Sequence, residues 1–316
     1  MNQLQAFNGD FAELAALMQS SWAENVQEPL AYSEQFLASA LSQPGASLDL
    51  CPSLYEDGKL VAFGAGLPRN LRVGDRSCKV LLDSFITVAP THKGRGLGGL
   101  IWSGIAGAAK RHGHDGLITF CVEGDRMNGS LLKFAERYSL PTQESLAVRY
   151  LARTVPKGRA TEVTTADPEC LLQASENLDA AIGFRRVWTA DDAEWQCRRR
   201  EGALGVSLER EGKCGAITAY AMPTAGAKPV LCGLVEDVLW EGLEHADRKQ
   251  LVSSLVDAAS AAHIDLLLVP NLQFTELTPF AEAGFRSTRR TLQMYLTSWS
   301  ENFPLHEVTS AYIDVF

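Results

Sequence analysis

The stretch Val88-Ala-Pro-Thr-His-Lys-Gly-Arg-Gly-Leu-Gly-Gly99 joins two segments of different periodicity. The β-rich run Val80-Leu-Leu-Asp-Ser-Phe-Ile-Thr-Val88 leads into it, and a run of helix character from Leu97 to His112 leads out. The join carries Gly94, Gly96, Gly98 and Gly99 together with the cations Lys93 and Arg95. Gly96 to Gly99 fall where the helix begins, and a glycine inside a helix costs roughly 1 kcal/mol relative to alanine. Close contact is the compensating reason. Without Cβ atoms, the first-turn N–H groups can lie directly against a ligand. Those groups lack helical partners, and the helix dipole adds partial positive charge. The product is a phosphate cradle, with Lys93 and Arg95 beside it.

Three loops use this physics. The nucleotide loop G-x-x-x-x-G-K-[ST] is absent. The dinucleotide fingerprint G-x-G-x-x-G is formally present as Gly94-Arg-Gly96-Leu-Gly-Gly99, with Glu123 ending the next apolar run. In that fold, however, the strand runs almost straight into the first glycine, whereas Ala89 to Lys93 intervene here. The third string, V-x-P-x-x-[R/Q/K]-G-x-G-x-G, is matched by Val88, Pro90, Lys93, Gly94, Gly96 and Gly98. It resembles the pyrophosphate loop of the GNAT superfamily of acyl-CoA-dependent N-acyltransferases. Lys93 stands where that family prefers Arg or Gln, keeping the charge but losing the planar fork. Downstream, the strand Gly116–Val122, then Asn128, then a short helix Leu131–Arg137 continue the resemblance over about residues 50–150. The resemblance implies acyl-CoA (acetyl or longer) as co-substrate and no metal. The implied contacts are Phe85, Ile86 and Val88 at the strand end, the loop Lys93, Gly94, Arg95, Gly96, Leu97, Gly98 and Gly99, and Asn128 against the pantetheine.

Composition bounds the class. The 316 residues are 46% hydrophobic and 21% charged, the balance of a globular protein of roughly two domains. No apolar run is long enough to span a membrane, and the N-terminus lacks the regions of a signal peptide. Seven dispersed cysteines without a C-x-x-C pair read as reduced thiols in the cytoplasm. A net charge of −9 argues against nucleic acid and for a cationic amine or peptide acceptor.

The two halves resemble each other. The turns at Gly58 and Gly212 lie 154 residues apart, and at that offset Leu82-Asp83 meets Glu236-Asp237. His114-Asp115 then meets His263-Ile-Asp265, Phe134-Ala-Glu136 meets Phe280-Ala-Glu282, and Val148-Arg-Tyr-Leu151 meets Gln293-Met-Tyr-Leu296. Matches in this order argue for a duplicated domain. The expectation is an α/β (α+β) protein of two tandem GNAT-like domains, each a mixed, bent sheet flanked by helices. Residues 1–153 carry the intact loop. Residues 161–316 carry a degenerate copy and a tail, with Glu244-His-Ala-Asp-Arg-Lys-Gln-Leu251 replacing the glycines. The degenerate copy is expected to shape the acceptor cleft. Such tandem arrangements resemble mycothiol synthase and N-myristoyltransferase.

The implied reaction moves an acyl group from acyl-CoA to a primary amine of a small molecule or peptide. The alternatives are an acyl-carrier-protein donor, a non-catalytic acyl-CoA-binding protein, and a dinucleotide oxidoreductase. The resemblance places a carbonyl-polarising backbone N–H near Val88. Asp83, mid-strand in an apolar run, is the first base candidate, and Glu123 the second. Asp125 and His114 are weaker. The family's acid, a tyrosine seven residues after the Asn, is Ala135 here, which leaves Tyr138 or solvent. In N-myristoyltransferase the chain terminus serves as base, which makes the Phe316 carboxylate a further candidate. The basic run Arg198–Arg200 reads as a solvated face or a grip for an acidic group.

Overall fold

In a computed structural model, residues 3–22, 30–124, 127–158, 162–179, 181–226, 228–305 and 308–315 are described. They form two compact units. Unit 1 comprises residues 1–147 and 292–308, and unit 2 residues 148–291 and 309–315. In chain order the first half contains β1 (Gln5–Ala6), α1 (Phe11–Trp22), α2 (Glu34–Ala40), β2 (Pro52–Glu56), β3 (Lys59–Val73) and β4 (Arg76–Val88). After these come α3 (Leu97–Arg111), β5 (Gly116–Val122), α4 (Leu131–Arg137) and β6 (Thr142–Thr154). The second half opens with α5 (Pro168–Glu176), β7 (Phe184–Arg186), α6 (Ala190–Glu194), a π-helical turn at Trp195–Arg199, β8 (Ala203–Arg210) and β9 (Lys213–Pro223). It continues through β10 (Leu231–Leu239), α7 (His245–Ala261), β11 (Leu266–Asn271), α8 (Thr278–Glu282), β12 (Arg286–Ser298) and β13 (Ala311–Tyr312).

Unit 1 orders its strands β1-β2-β3-β4-β5-β12, antiparallel except for the parallel pair β4 and β5. Unit 2 orders β6-β11-β10-β9-β8 with the matching parallel pair, β10 and β11. The closing strands are exchanged. β6 follows the helix of the first copy yet pairs with β11, while β12 follows the second copy yet pairs with β5 along Gly116–Val122. The packing units therefore part inside β6 and β12, between residues 147 and 148 and between 291 and 292. Helix α3 packs on β3 and β4, where Gly64 and Gly66 leave room for Ile101 and Ile105: a Cβ on Gly64 would lie 2.5 Å from the first.

Register corrects one detail of the repeat. Asp115 N donates to Lys79 O at 2.6 Å, and Asp115 Oδ2 accepts from Lys79 N at 2.9 Å. Asp265 makes the same pair of bonds with Leu231, at 2.8 and 3.0 Å. Lys79 thus corresponds to Leu231, which sets Asp83 opposite Val235 and Asp237 opposite Phe85. The sequence match of Asp83 with Asp237 is two residues out of register. The reason is that the β3–β4 hairpin closes at Val73↔Arg76, whereas β9–β10 closes around a longer loop at Pro223↔Leu231.

In unit 2 a buried polar cluster lies past the parallel pair, beside a small cavity lined by Glu236, Val238 and residues 270–275. Arg200 Nη2 donates to Glu236 Oε1 at 3.0 Å, Arg186 pairs with Asp314 at 3.1 Å, and Tyr312 donates to Asp237 Oδ1 at 2.7 Å. Desolvation pushes the Glu236 and Asp237 carboxyls above their ordinary range, against the pull of Arg200 and Arg186. Arg200, grouped by sequence with a solvated run, is buried, while Arg198 and Arg199 stay exposed on Glu194 and Asp191. Removing one partner of a buried ion pair costs about 3–5 kcal/mol, because the other is stranded in low dielectric. Arg186→Met should therefore lose about that much stability in urea unfolding, and adding Asp314→Leu should restore most of it.

Candidate functional site

The glycine-rich loop leads into the start of α3, where the sequence reading places the cradle. A 3₁₀ turn, Pro90–His92, follows β4, and His92 Nε2 meets the Glu56 carboxylate. Gly94 (φ 82°) and Gly96 (φ 76°) take left-handed conformations that disfavour side chains. The first helical bond runs from Leu100 N to Gly96 O, so the N–H groups of Leu97, Gly98 and Gly99 have no partner within the helix. No acidic side chain sits in this first turn. Gly99 is required by packing, since a Cβ there would lie 2.7 Å from the Phe134 ring. Gly98 differs: its φ is ordinary, and a Cβ would meet nothing within 4 Å. Neither backbone conformation nor packing within the described residues demands glycine there.

The two cations separate. Lys93 Nζ donates to Ser21 O at 3.1 Å near the end of α1, while Arg95 stays exposed beside the cradle. Thus Lys93 ties the loop to α1, and Arg95 remains available to an anion.

The strands leading to the cradle part. The parallel ladder runs from Val80↔Gly116 to Asp83↔Thr119 and stops, although β4 continues to Val88 and β5 to Val122. Beyond it β4 bulges. Ala65 faces Ser84 and Phe63 faces Thr87, leaving Phe85 and Ile86 opposite Gly64 alone, with Phe85 at φ 61°. The extra residue inverts the alternation of faces. Phe85 turns to Tyr32, 5.6 Å between ring centroids, and Ile86 rejoins the α3 face beside Gly64. Past the bulge, Ala89 N donates to Val61 O at 2.8 Å. Neighbouring N–H groups on a strand point to opposite edges, so the Val88 N–H points away from β3 into the split.

Asp83 sits where the split begins, 7% exposed, and its Oδ2 accepts from Thr119 Oγ1 at 2.7 Å. Trp102 Nε1 donates to that same Thr119 hydroxyl at 3.3 Å. Burial pushes the Asp83 carboxyl up to about 7, outweighing the hydrogen bonds that favour its charged form. Glu123 lies exposed at the far end of β5. Tyr138 caps α4 and packs, half-buried, against the core that includes Ala135. Asn128 stands between β5 and α4, and its Oδ1 accepts from the Tyr295 hydroxyl at 2.7 Å. The role of Tyr295 was hidden from sequence, because β12 reaches unit 1 only through the strand exchange. His114 lies at the opposite end of β5 from the cradle, its carbonyl taken by Trp299 Nε1 at 2.7 Å. Asp125 and the Phe316 carboxylate lie outside the described residues.

No protein-family profile and no curated protein sequence matches this chain. Solved structures do. The fold is a tandem GNAT-like fold, the architecture of N-myristoyltransferase. The Saccharomyces cerevisiae N-myristoyltransferase with bound myristoyl-CoA and inhibitors aligns with a TM-score of 0.74 over 100% of this chain and 86% of its own, at 13% identity. A complex of that enzyme with myristoyl-CoA gives 0.72 over 99% and 83%, at 14% identity. A GCN5-related N-acetyltransferase from Anabaena variabilis gives 0.56 over 93% and 72%, at 11% identity.

Two outcomes follow from this geometry. Gly98→Ala should hold or slightly raise the melting temperature, since alanine favours the helix and meets no neighbour. Coenzyme A affinity should nevertheless fall at least tenfold by calorimetry. For Asp83, the folded pKa near 7 lies above an unfolded value of about 3.9. The folded state then holds a proton that the unfolded chain has released. Stability is complete below about pH 4 and is lost as pH rises through about 7, by up to about 4 kcal/mol. Asp83→Asn should flatten that slope in urea titrations between pH 4.5 and 7.5.

Proposed function

We propose that the protein is an acyl-CoA-dependent N-acyltransferase acting on a primary amine, with a peptide amine as the first acceptor class to test. The observation that carries this reading is Gly98, an unforced glycine over free helix N–H groups, at the mouth of the split between β4 and β5. An anion on the cradle would place an extended arm along the split, beside the Val88 N–H. The matching structures carry myristoyl-CoA in a protein of this fold, which supports an acyl-CoA donor here.

In the reaction the amine nitrogen attacks the thioester carbonyl. A C–N bond forms and the C–S bond breaks. The Val88 N–H takes the developing oxyanion. The ammonium gives one proton to Asp83 before attack, with the Thr119 hydroxyl as conduit; the nitrogen sheds a second as the C–N bond forms, which balances the proton that the departing thiolate takes from Tyr138 or solvent. A carboxyl held near pH 7 is matched to this task. Glu123 is the second candidate base. Ala135 at the family's acid position favours one other reading, an acyl-CoA-binding protein without turnover.

All seven cysteines are free, buried thiols, as a reducing compartment would maintain, and we place the protein in the cytoplasm. No helix among the described residues is long and apolar enough to cross a membrane.

Thiol release from acyl-CoA in the presence of amine-terminated peptides tests the proposal. kcat/KM should rise with pH through about 7, as Asp83 loses its proton. Asp83→Asn should lower kcat at least ~100-fold and abolish that limb, with acyl-CoA affinity held. Binding without turnover in the wild type would select the non-catalytic reading.

A further inference from the structure

We propose that Tyr295, carried by the exchanged strand β12, is a positioning residue for the ligand arm in the split, through the side-chain amide of Asn128. This rests on the acyl-CoA reading above and deepens it. Tyr295 is 2% exposed, and β12 holds it directly across from Thr119, the hydroxyl that donates to Asp83. Its hydroxyl donates to Asn128 Oδ1 at 2.7 Å. An amide has one acceptor side and one donor side. With Oδ1 held by the phenol, the Nδ2–H₂ group is left to donate, and no described residue accepts from it.

Asn128 is well placed for that task. Its neighbour Met127 packs against the same core as Ile86, Val88 and Leu97, the residues that lead from the bulge to the cradle. A ligand with its phosphates on Gly98 and an amide-containing arm in the split brings carbonyl oxygens towards Asn128. A fixed Nδ2 donor would recognise a carbonyl there and reject a donor.

Ala135 and Tyr295 are both buried in this core. Burial comes first, then the charges of Glu144 and Cys121 and the approach of the Glu144 carboxylate to the hydroxyl, and together they push the Tyr295 phenol up to about 12, so that it keeps its proton throughout the working pH range. The tyrosine thus comes from the other end of the chain and acts through Asn128.

Calorimetry with two probes separates this role from a structural one. Coenzyme A contains the pantetheine arm; adenosine 3′,5′-bisphosphate does not. Tyr295→Phe keeps the ring in the core and removes only the hydroxyl. It should weaken coenzyme A binding about five- to tenfold and leave adenosine bisphosphate binding within about twofold of wild type. Asn128→Asp preserves shape and the bond from Tyr295 but replaces the donor with an acceptor. It should weaken coenzyme A at least as much, again sparing the bisphosphate. In the double variant the two losses should be non-additive. Equal loss for both probes, or no loss of coenzyme A affinity in Tyr295→Phe, overturns the positioning role. Failure of the wild type to bind either probe overturns the acyl-CoA reading itself, and the role of Tyr295 with it.

Discussion

The organising constraint in unit 1 is a single extra residue in β4. Two strands that pair in parallel up to Asp83 and Thr119 cannot continue together when one of them bulges at Phe85. The bulge bends β4, reverses which face its side chains occupy, and sends Phe85 and Ile86 to opposite sides of the sheet. It also leaves a strand edge carrying the Val88 N–H without a partner strand. An unpaired edge inside a sheet is costly unless something uses it. Here it leads straight into a helix terminus whose own N–H groups are equally unsatisfied. Donors left over from strand and helix thus converge on one groove, and the proposed chemistry follows from that convergence.

Unit 2 repeats the topology with different residues at the helix start. It repeats the parallel pair and a register shift in β10 between Val235 and Asp237. Its helix α7 opens at Glu244 and carries Asp247 in the first turn, which repels phosphate. Past the parallel pair lie the buried pairs Arg200–Glu236 and Tyr312–Asp237, beside a small cavity lined by Glu236, Val238 and residues 270–275.

Several local features were legible because they depend on short-range physics. The strand Gly116–Val122 and the helix Leu131–Arg137 have the predicted bounds, and the helix after the loop ends one residue earlier than read. Apolar periodicity and Gly-bounded turns are sufficient for such elements. The match of Asp83 with Asp237 failed for the opposite reason. Short motifs were aligned by constant offset, whereas the β3–β4 and β9–β10 hairpins differ in arm and loop length, which shifts register without a mark in the motif. Lys93 was read as a phosphate ligand from its place in the loop. In the structure its long side chain also reaches Ser21, a partner 72 residues away.

By itself the sequence determined that a strand meets a helix through a glycine-rich, cationic loop, and that the chain contains a repeated domain. Those conclusions rest on backbone conformation and local charge, which neighbouring residues control. Only the tertiary structure decided that β6 and β12 are exchanged, that Gly98 is free of internal demand, and that Tyr295 holds Asn128. Each of these is a relation between residues remote in sequence, brought together by strand pairing. Pairing partners are chosen by the fit of whole sheet edges and faces rather than by any local motif.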